Sequence, residues 1–75
     1  MSQLANILAS ISRMKSSGTL SDTNINKTIF YWVDFELGIS DLSATDYETR
    51  QKRVKLFANY ADQVRSEYQN PPDTA

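Results

Sequence analysis

Seventy-five residues, 40% apolar and 23% charged with a net charge of −1, have the makeup of one small folded domain and not of a disordered chain. Neither cysteine nor histidine is present, which excludes a disulfide framework, a Cys/His zinc site and every catalytic system built on histidine. A core below roughly 70 to 80 residues rarely supplies more than about 3 to 5 kcal/mol, so very regular helix packing or a partner subunit has to make up the stability.

The chain opens MSQLANILASISRMK, where Leu4, Ile7, Leu8, Ile11 and Met14 recur at helical spacing and project onto one stripe of about 120°. This spacing predicts an amphipathic helix over residues 3–15, with Ser2 as its N-cap. Ser16-Ser17-Gly18-Thr19 then has the glycine and hydroxyls that end helices, giving a loop over 16–22. The N-terminus lacks a basic start followed by a continuous apolar block, and no apolar run approaches the roughly 20 residues that span a bilayer. A cytoplasmic protein is therefore expected. An organellar leader, suggested only by an acid-free, serine-rich start with Arg13 and Lys15, is the weaker reading. Asn26-Lys27-Thr28 matches a glycosylation sequon, which without a secretory signal is a chance match.

Residues 30–39, FYWVDFELGI, favour a strand by composition, since the aromatic and β-branched residues of 28–33 are good β-formers. The punctuation argues the other way. Leu37-Gly38-Ile39 has the form of a helix C-terminus, with glycine at the left-handed position and an apolar residue behind it. Ser21 to Asn24 offer N-caps, and no second strand is available for pairing. A helix over 23–37 follows, with Ile25, Ile29, Phe30, Trp32, Val33 and Leu37 in one arc of about 160°.

In the last segment, Ser43 and Asp46, then Thr45 and Glu48, have capping-box spacing, and Leu42 and Tyr47 can staple the turn across Ser43. Tyr47, Val54, Phe57, Ala61, Val64 and Tyr68 continue at intervals of three, four and seven. They predict a long helix over 44–69, ended by Pro71 and Pro72 before a disordered tail over 71–75. The first helix is only about half as long, which leaves part of this stripe for a partner. The architecture expected is all-α: a single three-helix domain over 1–70, associating into a helical dimer.

No catalytic, cofactor-binding or metal-binding residue emerges. Asp34 and Glu36 are two apart and diverge on a helix, the two glycines form no phosphate-cradling loop, and no calcium-loop pattern occurs. A non-enzymatic protein is expected. Arg50, Lys52, Arg53 and Lys55 place four cations in six residues, and a basic third helix is similar to that of helix-turn-helix domains. Nucleic-acid binding is the alternative reading, set against the chain's net negative charge and the acids Asp46 and Glu48 just upstream. Residues 34–48 carry acids only and 50–55 bases only, so the same cations could instead pair with the acidic block of a second copy across a two-fold axis.

In helical projection Tyr31 and Phe35 lie about 100° outside the main arc, one turn apart and turned away from Trp32. Large aromatics commonly anchor protein interfaces. Tyr31 and Phe35, with Leu56 and Tyr60 on the last helix, form the expected interaction surface of a small regulator or adaptor working as a homodimer. Membrane attachment through the first helix is a minor reading, since that helix has few bases and no aromatic residue.

Overall fold

Three α-helices account for the computed structural model, which describes residues 2–39 and 46–69. They are α1 (Leu4–Ser17), α2 (Asp22–Leu37) and α3 (Tyr47–Gln69), and no strand occurs among the described residues. None of these helices is long and apolar enough to cross a membrane. The segment that composition favours as a strand is thus helical, and its punctuation shows why. Gly38 takes φ 71°, its N–H donates to the Phe35 carbonyl at 3.2 Å, and the Ile39 N–H reaches back to the Asp34 carbonyl at 2.8 Å. These two bonds satisfy carbonyls that the helix end would otherwise leave open.

The other ends use local chemistry as well. Ser21 caps α2, its hydroxyl accepting from the Asn24 N–H at 3.1 Å, while Asn24 Nδ2 donates to the Thr19 carbonyl and stitches the short connection closed. Gly18 at φ 75° ends α1, two residues later than the spacing suggested. Ser2 is not the capping position of α1, which is Gln3, although the Ser2 hydroxyl accepts from the Leu4 N–H at 3.2 Å. At α3 the capping side chain is Asp46, whose Oδ1 accepts from the Thr49 N–H at 2.8 Å, so the helix starts at Tyr47 and not at 44. Leu42, Ser43 and Thr45, and the tail beyond residue 69, lie outside the described residues.

Each helix gives two residues to the buried core: Ile7 and Ile11, Ile29 and Val33, Tyr60 and Val64. Leu4, Leu8, Ile25, Leu56 and Phe57 pack around them half-buried. The α3 contribution departs from the expected seam. Val54 is 60% exposed and Tyr47 68% exposed, while Tyr60, expected at the flank, is buried. The cause is an offset between helices. The N-cap of α1 sits at the level of Tyr60, because the Gln3 N–H donates to the Tyr60 hydroxyl at 2.7 Å. Among the described residues, the part of α3 before that level has only α2 beside it, and Tyr47 and Val54, facing away from α2, are exposed.

The seam assignment has a direct test in urea denaturation followed by circular dichroism. Ile29→Ala should cost about 2 to 5 kcal/mol. Val54→Ala should change stability by about 0.5 kcal/mol or less, and a larger loss would return Val54 to the seam. The Asp46 cap adds an acid dependence. Hydrogen bonds from the Thr49 side chain and backbone hold its carboxyl below the ordinary 3.8. Its support is complete above that value and disappears as pH falls through the lowered one. Amides of the first α3 turn should therefore lose exchange protection in this range, and Asp46→Asn should remove the dependence.

Candidate protein-interaction surface

On α2, Ile29 and Val33 face inward at 1% and 0% exposure, whereas Tyr31 and Phe35 are each 63% exposed. The helical period places Tyr31 and Phe35 one turn apart on a common face. Trp32 is half-buried and not turned away from them, as projection alone suggested. Its indole makes edge-to-face contacts with Tyr31, centroids 5.1 Å apart at 89°, and with Phe35, 5.4 Å at 70°. Such pairs contribute about 0.5 to 1.5 kcal/mol each beyond buried area. The three rings form one continuous patch, anchored at Trp32 and open at its two outer members.

The flank of α2 that meets α3 is built differently. Phe30 stacks on Phe57, centroids 4.0 Å apart, and the Arg53 guanidinium lies 4.2 Å from the Phe30 centroid. Arg53 also holds Asp34 with two bonds, Nε to Oδ1 at 2.7 Å and Nη2 to Oδ2 at 3.3 Å. A fork-to-carboxylate pair over an aromatic face suits arginine and would not survive exchange for lysine. Arg53 is therefore occupied within the chain. The basic run divides around α3: Lys52 and Lys55 line a shallow groove with Glu36, Leu37, Leu56 and Asn59, while Arg50 is exposed elsewhere on the helix. Asp34 and Arg53, members of the opposite charge blocks, pair inside one chain.

Two of the four residues expected on the interaction surface, Tyr31 and Phe35, are exposed. Leu56 is half-buried against the core, and Tyr60, at 3% exposure, belongs to the core itself. Its position follows from its hydroxyl, which accepts from the Gln3 N–H and donates to the Glu36 carboxylate, so that one group touches all three helices. Glu36 and Asp34 thus have separate partners on α3 and do not converge. Among the described residues, no cluster of three or more Asp, Glu, Cys or His could hold a metal ion.

A second concavity lies between α1 and α2, lined by Ser10, Arg13, Lys27, Thr28, Tyr31 and Trp32. It continues toward the α1 to α2 turn, past Met14, Ser17 and Asn24. The sequence reading missed this groove because Arg13 and Lys27 stand fourteen residues apart and meet only through the antiparallel α1 and α2. Comparison with family models, with curated proteins and with solved structures finds no match to this chain.

Burial, then the Glu36 carboxylate, push the Tyr60 phenol above its ordinary 10.0. The folded value exceeds the unfolded one, so the contribution is complete below about pH 10 and is lost as pH rises through the folded value. Absorbance of phenolate should show a late tyrosine step, above the ordinary range, together with alkaline unfolding. Tyr60→Phe should abolish the late step and cost about 1 to 3 kcal/mol by stranding the Gln3 N–H. An unchanged titration would place Tyr60 in solvent.

Proposed function

We propose that this protein is a non-enzymatic interaction module that docks on another protein through the Tyr31, Trp32 and Phe35 patch of α2. The observation that carries the reading is the 63% exposure of two large rings held beside a half-buried tryptophan. Aromatic anchors surrounded by a packed scaffold are the usual source of interface energy, and preorganised rings lose little entropy on binding. The patch is built on a helix whose inner face is the core, so the fold itself fixes where its three rings start. Its mechanism is occupancy: covering the rings tethers, inhibits or completes the partner.

The partner proposed is a different chain. The charge argument for a homodimer through α2 and α3 loses Asp34 and Arg53 to their own in-chain pair. The nucleic-acid alternative loses Arg53 in the same way, and the groove that Lys52 and Lys55 share also contains Glu36, while Arg50 lies apart from it.

Phe35→Ser tests the reading because the exposed ring adds little to the core. Circular dichroism and the urea midpoint should stay close to the parent, while affinity for a captured partner should fall by about thirtyfold, the size of a hot-spot truncation. Unfolding of the variant would make Phe35 a core residue. Unchanged capture by a folded variant would remove the patch from the interface.

A further inference from the structure

We infer that the groove between α1 and α2 takes an acidic segment of the partner protein, its carboxylates on Arg13 and Lys27 and a large apolar side chain on the Tyr31, Trp32 and Phe35 rings. The inference rests on the interaction reading of that patch and adds the chemistry of what covers it. Its basis is the charge around the rings. Arg13, Lys27, Ser10 and Thr28 line the groove beside Tyr31 and Trp32, and its continuation past Met14 and Asn24 has no acidic wall residue.

The surrounding sequence agrees, since residues 1–21 contain no acid and α2 has none between Asp22 and Asp34. Asp34, the next acid along α2, is committed to Arg53 on the opposite flank. Both groove cations are exposed, and among the described residues neither has a carboxylate within ion-pair distance. Among the described residues, Arg13 donates to the Ser10 hydroxyl at 3.0 Å, which positions its guanidinium and leaves most of its five donors for a ligand. In a chain of net charge −1 this face carries two cations and no acid, so it is locally positive and attracts a negative partner.

An acidic peptide fits better than a nucleic acid. A polyanion tracks a row of cations, and two of them beside apolar rings give a weak electrostatic term against a net negative chain. A peptide needs only one or two carboxylates there, and its apolar side chain makes use of the rings.

Trp32, the single tryptophan, is the reporter for the test. The probes are a short synthetic peptide in which glutamates flank one phenylalanine, the same peptide with lysines in their place, and an oligothymidylate. The glutamate peptide should change Trp32 emission saturably and weaken with added salt, and the lysine peptide and oligonucleotide should not compete. Joint charge reversal, Arg13→Glu with Lys27→Glu, should lower affinity for the glutamate peptide by at least about tenfold with circular dichroism unchanged.

Equal or tighter binding of the lysine peptide, tighter binding of the oligonucleotide, no response to the glutamate peptide, or an unaffected charge-reversed variant would each overturn the inference. The two readings separate through Phe35→Ser. If that variant loses binding to whichever peptide binds while charge reversal does nothing, the aromatic patch stands and the acidic assignment falls. If it binds every probe as the parent does, the patch itself is wrong.

Discussion

Helix α2 carries more apolar surface than two neighbouring helices can cover, and the rest of the structure follows from that mismatch. Ile29 and Val33 are sealed by α1 and α3, Phe30 is stacked under Phe57 and Arg53, and Trp32 is half-covered at the α1 side. That uses both neighbours. Tyr31 and Phe35 occupy the sector left over, and a helix that is apolar nearly all round is normally surrounded. The chain keeps these rings in order by packing them on Trp32 and not by burying them.

Polar contacts fix the geometry around that overfilled helix. Arg53 clamps α3 to α2 through Asp34, while the Tyr60 hydroxyl joins the start of α1, the last turn of α2 and the middle of α3. A buried hydroxyl with both donor and acceptor roles satisfied specifies one register, because a slip of a helix turn would strand the Gln3 N–H and the phenol in an apolar setting. With six of the described residues forming the buried core, such specification matters more than in a larger domain. It also sets the offset that leaves Tyr47 and Val54 uncovered on α3.

The helices and two of the stops were legible in the sequence because they are local. Leu37-Gly38-Ile39 announced the end of α2 three residues at a time, and the 3.6-residue stripe of α1 matched its buried Ile7 and Ile11. What failed was relational. Periodicity alone draws the α3 seam through Val54, but which sector of a helix is covered depends on where its neighbours begin, and no spacing encodes the level of Gln3 against Tyr60. Tyr60 was assigned to the surface because its polar partners, Gln3 and Glu36, lie on other helices. The same holds for Arg53: a run of four cations reads as a patch, and only the α2 to α3 packing reveals that one of them belongs to Asp34. Trp32 and Phe35 are three apart, only about 60° on a helix, so their contact is local and the sequence reading that turns Phe35 away from Trp32 overstates the angle.

The central claim, that the outer rings of α2 are ordered yet uncovered until a partner arrives, has a direct measurement. Paramagnetic broadening of ring protons by a soluble gadolinium chelate reports solvent contact residue by residue. The account predicts strong broadening of Tyr31 and Phe35 in the free chain, little at Tyr60 or Ile29, and protection of Tyr31 and Phe35 once the partner is bound. Rings of Tyr31 and Phe35 spared in the free chain, or left equally broadened in the complex, would contradict it.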